Sequence, residues 1–139
     1  MTTFDVDRLA SALAAACPDV RLALLLGSAR NGVIKPGADV DVALYAPGSA
    51  PLPVLQQAMA TIAEQTGAEP DVGWLGPSEP VYRFEALNGR LLFCRDWEEY
   101  AAFFSCTCRE YESQIAGYER QRAYRLSRSA TPFRIGASL

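Results

Sequence analysis

Two aspartates, Asp39 and Asp41, stand two residues apart at the start of an apolar run, in GADVDVALY. Side chains alternate along a strand, so these carboxylates project from one face while Val40 and Val42 project from the other, into a core. Like charges held side by side repel unless a cation neutralises them. Magnesium suits such a pair, because it takes hard oxygen ligands and is usually held by one or two carboxylates plus substrate phosphates. Upstream, Gly27-Ser28 ends an earlier apolar run. Glycine lets the backbone turn tightly and approach a ligand, and if Ser28 opens a short helix, its N–H groups and hydroxyl face an anion. A third acid, Asp71 in AEPDVGW, joins the cluster if its strand neighbours that of Asp39 and Asp41. Two-metal transfer at phosphorus needs such a set, with ions about 3.5–4 Å apart stabilising the attacking and leaving oxygens. A lone D-x-D reads as solvated acids and a lone Gly-Ser as an exposed turn. Their combination, each beside an apolar strand, points to a site for a nucleoside triphosphate with magnesium.

The elements that must position these residues are legible in outline. Asp5 caps a helix from Val6 to about Ala16, with Leu9, Leu13 and Ala16 on one face. Val20–Leu26 reads as a strand buried on both faces, and Ala29–Ala38 as a polar connection broken by Gly32, Pro36 and Gly37. Asp39–Tyr45 is a second strand, Val54–Gln65 an amphipathic helix closed by Gly67, and Ala68–Trp74 a third strand. Pro77–Leu87 reads as helical, Asn88-Gly89 as a tight turn, and Arg90–Cys94 as an edge strand. From Trp97 to about Arg125 the pattern is helical. The expected architecture is a small α/β (α+β) domain with a mixed sheet flanked by helices and a long C-terminal helix. It spans residues 1–126, with 127–139 as a flexible tail.

Composition narrows the chemistry. The 139 residues fit one domain. There is no histidine, which removes Ser-His-Asp triads, His acid–base chemistry and most catalytic zinc sites. The four cysteines, Cys17, Cys94, Cys106 and Cys108, form no C-x-x-C pair and read as reduced thiols. The net charge of −3 argues against a long nucleic acid as direct partner but not against a nucleotide. No run is long enough to span a bilayer and the N-terminus is unlike a signal peptide, so a cytoplasmic location is expected.

The spacing of Gly27-Ser28, ten residues, then Asp39-Val40-Asp41 resembles the signature of the polymerase-beta-like nucleotidyltransferases. The small size, Asp71 and the segment Ala86–Phe93 (ALNGRLLF) are similar to the minimal nucleotidyltransferases, in particular the MntA-type antitoxins paired with HEPN ribonuclease toxins. The resemblance implies a polymerase-beta-like fold and a protein adenylyltransferase that moves AMP from ATP to a tyrosine of a HEPN-type toxin, neutralising it in a hetero-oligomer. Carried over by motif, Gly27 and Ser28 would hold the triphosphate, Asp39 and Asp41 would bind two magnesium ions, and Asp71 would help to activate the tyrosine hydroxyl. Many relatives carry arginine directly after the Gly-Ser pair and again two positions on. Here those places hold Ala29 and Asn31, and the serine usual before the first aspartate is Ala38. Arg30 and Lys35 are the cations left to face the phosphates. A binding antitoxin that blocks its toxin by complex formation is the alternative, and a small-molecule nucleotidyltransferase ranks below both because the chain has little room for a substrate domain.

The segment from Trp97 to Arg125 holds Tyr111 and Tyr118 a heptad apart with Ile115 between them, and its far end is made basic by Arg109, Arg120, Arg122, Arg125 and Arg128. Packing on its own sheet accounts for such a helix. Aromatic and arginine residues are also enriched at interface hot spots, which assigns the far end to a protein partner.

Overall fold

The computed structural model describes the backbone of residues 2–77 and 79–138 and side chains through residue 128. A four-stranded mixed sheet has the order β5-β4-β2-β6, built from β2 (Leu22–Leu26), β4 (Val40–Tyr45), β5 (Pro70–Trp74) and β6 (Arg90–Cys94). β2 is antiparallel to both β4 and β6, whereas β4 and β5 run parallel. That parallel pair is joined by the crossover helix α2 (Leu52–Thr66), as parallel neighbours require.

Each face of the sheet has its own core. Val40, Val42 and Leu44 point to one side with Ala23 and Leu25, against Leu9 and Leu13 of α1 (Val6–Ala16) and Ala58 and Ile62 of α2. Leu22, Leu24 and Ala43 point to the other, against Ala86 of α3 (Pro80–Ala86) and Phe103 of α4 (Trp97–Ser138). Asp5 caps α1 as expected, its carboxylate accepting from the Asp7 and Arg8 N–H groups at 3.0 and 3.2 Å. The far end of α1 is closed from a distance: Arg95 donates to the carbonyls of Ala14, Cys17 and Val20 at 2.8–3.0 Å. The Ala14 and Cys17 carbonyls are among the acceptors a helix terminus leaves unsatisfied.

The element order expected from the sequence is present, with shifts at the ends. β4 begins at Val40, so Asp39 lies just before the strand rather than in it. Two short strands inside or before expected connections, β1 (Thr2–Thr3) and β3 (Val33–Ile34), pair antiparallel as a separate small sheet. Two residues are too few to show a period-2 pattern. α4 continues by its backbone to Ser138, past the expected end near Arg125. The expected tail, 127–139, lies mostly among residues whose side chains are outside the described set.

The first half of α4 packs on the domain and its outer half does not. Phe103 and Thr107 are buried, and Tyr111 stacks on Phe84 with ring centroids 3.8 Å apart. Buried Arg83 of α3 lies 4.6 Å from the Phe103 ring centroid and 3.6 Å from Glu110. Beyond Ile115, Tyr118, Tyr124 and Leu126 are each more than half exposed. Packing thus accounts for Phe103 and Tyr111 but not for Trp97 and Phe104, which are exposed. All four cysteines are free thiols. No described helix is long and apolar enough to cross a membrane.

Candidate active site

The acids gather where β2 ends and β4 and β5 begin. Asp41 is in register with Leu26 of β2 on one side and with Asp71 of β5 on the other. Because β4 and β5 are parallel, in-register residues leave the same sheet face, so Asp41 and Asp71 are lateral neighbours. Asp39 is exposed one step before the strand, where the Val40 N–H donates to the Glu69 carbonyl at 2.9 Å. Burial holds the Asp41 carboxyl above its ordinary range, and the charges of Asp71 and then Asp39 push it further the same way. Among the described residues no hydrogen bond or ion pair relieves these three acids.

Gly27 follows β2 directly. Its φ of 71° lies in the left-handed region, where a side chain would be strained, and opens a 3-10 turn over Gly27–Asn31. Ser28 therefore does sit in a short helical turn, exposed to solvent. Arg30 donates from Nη1 to the Asn88 carbonyl at 2.8 Å, and Arg90 donates from Nη1 to the Arg30 carbonyl at 3.3 Å. These two bonds tie the turn to the α3–β6 connection. Between them and the acids lies an open cleft of about 240 Å³ walled by Gly27, Arg30, Asp41, Tyr82, Glu85 and Gly89, among others.

Lys35 is not in that cleft. It lines a second one of about 290 Å³ together with Gly37, Asp39, Gly67 and Glu69. The pairing of Val33–Ile34 with Thr2–Thr3 carries the connection away from Gly27, and Lys35 with it. The expected cations thus divide: Arg30 stands with Asp41, and Lys35 with Asp39. Among the described residues no three His, Cys, Asp or Glu side chains converge as a ready metal cage. Asp41 and Asp71, in register on parallel strands, could supply the one or two carboxylates that magnesium typically takes, its shell being completed by phosphates and water.

Tyr82 was missed in the sequence. Burial, then Asp41, Asp71 and Glu79, push its phenol up to about 12. Its hydroxyl end lies over Gly73, where an added Cβ would collide with it. Gly73 follows Asp71 on the same face of β5, so the glycine makes room for the ring beside the acids. A glycine two residues after an acid in a strand was the available signal, but it does not say which side chain fills the space. Gly89 has a similar role within the expected tight turn, where its N–H donates to the Ala86 carbonyl at 2.9 Å. A Cβ there would meet the Leu25 carbonyl at 2.8 Å and Leu26 Cδ2 at 2.5 Å. Its φ is not positive, so close approach of β2, not turn geometry, requires glycine.

The chain shares its fold with MntA of solved toxin–antitoxin complexes. It is similar to a toxin–antitoxin complex of MntA with two aspartates exchanged for glutamate: TM-score 0.68, 19% identity, covering 84% of this chain and 93% of that one. It is similar at TM-score 0.68 and 20% identity to a toxin–antitoxin structure with AMP-PNP, covering 84% and 93%. A third is a tri-AMPylated Shewanella oneidensis HEPN toxin in complex with MNT antitoxin, at TM-score 0.63 and 20% identity, covering 84% and 89%. No family model and no curated protein matches the chain.

Proposed function

We propose that this chain is a magnesium-dependent protein adenylyltransferase, an antitoxin that transfers AMP from ATP to a tyrosine of a HEPN-type toxin bound to it in a cytoplasmic complex. The observation that carries the reading is the register of Asp41 against Asp71 on parallel strands, one residue away from the Gly27 turn across β2. Similar folds occur in complexes with a HEPN toxin, one with AMP-PNP and one with an AMPylated toxin.

In this reading Asp39, Asp41 and Asp71 hold two magnesium ions. The ions supply neutralisation of phosphate charge and a more acidic acceptor hydroxyl. The chain's own residues do the rest. The Gly27–Ser28 turn lets the triphosphate approach the backbone, and Arg30, held by Asn88, presents positive charge to it from the cleft wall. Lys35, in the separate cleft beside Asp39, has no part in this arrangement. Asp71, at the exposed edge, takes the proton of the incoming tyrosine. The exposed outer half of α4, with its arginines and Tyr118 and Tyr124, docks the toxin.

The test is co-incubation with ATP, magnesium and the product of the adjacent reading frame, read by intact mass. An AMP adduct on that product, absent with Asp41→Asn, is expected. If no adduct forms and Asp39→Ala/Asp41→Ala still neutralises the toxin, the catalytic reading fails. The alternative, a binding antitoxin, then stands, and truncation of α4 alone would abolish neutralisation. The exposed apolar side chains of the outer α4 favour that second reading.

A further inference from the structure

The chain has six tyrosines, and five are occupied elsewhere or remote. Tyr45 packs on Phe103, Tyr100 meets Trp97 and Phe104 edge-on, Tyr111 stacks on Phe84, and Tyr118 and Tyr124 stand exposed on the outer half of α4. Tyr82 alone lines the cleft with Gly27, Arg30 and Asp41. Three independent features mark its hydroxyl. It has no hydrogen-bond partner among the described residues, so it is not committed to holding the fold. The missing Cβ of Gly73 gives it a seat on β5, two residues from Asp71 along the same face. Both Asp41 and Asp71 are near enough to act on it electrostatically. A tyrosine hydroxyl seated on β5 beside the acid pair, on a side chain that lines the cleft with Gly27, is placed to act as an acceptor for a nucleotidyl group.

We propose that Tyr82 is an internal acceptor: the chain transfers AMP from ATP to its own Tyr82 hydroxyl. This rests on the reading of the acidic edge as a nucleotidyl-transfer site. The Tyr82 oxygen forms a bond to the α-phosphorus, and the bond between that phosphorus and the α–β bridging oxygen breaks. Pyrophosphate leaves with the bridging oxygen and its electron pair, and the phenolic proton passes to the Asp71 carboxylate. The product carries AMP as a phosphodiester in the cleft. There it occupies the acceptor position and competes with an external tyrosine, so self-modification would silence the site until the group is removed.

The experiment uses the full chain, ATP and magnesium, without a partner, followed by intact mass and peptide mapping. One AMP on the peptide carrying Tyr82 is expected, with loss of the adduct in Tyr82→Phe and in Asp41→Asn. Tyr82→Phe removes only an unbonded hydroxyl, and a melting curve alongside confirms that it folds. An adduct on another residue, or one that survives Tyr82→Phe, overturns the proposal. In a parallel arm the product of the adjacent reading frame is added. If that product is labelled and the chain itself is not, Tyr82 is no acceptor while the transfer site stands. If neither is labelled, both readings fall together.

Discussion

Replacing Asp41 by Asn separates the role of the acid pair in the fold from its role in binding. Asp41 is partly buried, in register with Asp71, and near Asp39, with no ion pair to these acids among the described residues. A like-charged cross-strand pair costs about 0.2–1 kcal/mol, and partial exposure keeps the sum of both neighbours near ~0.5–1 kcal/mol. For a domain of this length that corresponds to a melting-point rise of roughly 2–5 °C in the metal-free Asp41→Asn protein. The sign with pH follows from the raised Asp41 carboxyl. The native chain binds that proton more tightly than the unfolded chain, so wild type loses this increment as pH rises through the raised value. The advantage of Asp41→Asn should therefore open on going from acid to neutral pH and close again in acid. Magnesium with a non-hydrolysable ATP analogue should reverse the order. A ligand at a hundred times its Kd stabilises by about 2.7 kcal/mol, and only wild type should gain it. The assay is scanning calorimetry of both proteins with EDTA and with magnesium plus analogue across that pH range. A lower metal-free melting point for Asp41→Asn, or an undiminished ligand shift in it, refutes the electrostatic reading of the site.

Three further outcomes are expected. Gly73→Ala drives a methyl into the Tyr82 hydroxyl and should destabilise by ~1–3 kcal/mol in urea titration, with Tyr82→Phe recovering part of the loss in the double mutant. Arg95→Ala removes three bonds from a guanidinium to the end of α1 and to Val20, and should lower stability by about 1.5–3 kcal/mol in the same titration. Cys17 is buried and its thiol is pushed up by that burial, so iodoacetamide should leave it unmodified in the native protein at neutral pH and label it once the chain is unfolded in urea.

Residue types and spacings alone pointed to the acidic edge, because its parts are local. The i, i+2 spacing of Asp39 and Asp41 predicts one face for both, although β4 begins at Val40 and leaves Asp39 before the strand, and the break at Gly27 follows from the end of an apolar run. The helix cap at Asp5 and the strand at Arg90–Cys94 were legible for the same reason: each depends on neighbours within a few residues. What joined Asp71 to Asp41 was not local. It required β4 and β5 to be adjacent, parallel and in register, which the packing of α1 and α2 against Val40, Val42 and Leu44 settles. The parting of Lys35 from Arg30 depended on a two-residue pairing with the N-terminus, too short to leave a periodic signal. Tyr82 reached the acids only because α3 crosses β5 at a glycine. Sequence spacing fixes which groups share a face, but only strand register and helix packing decide which of those groups meet.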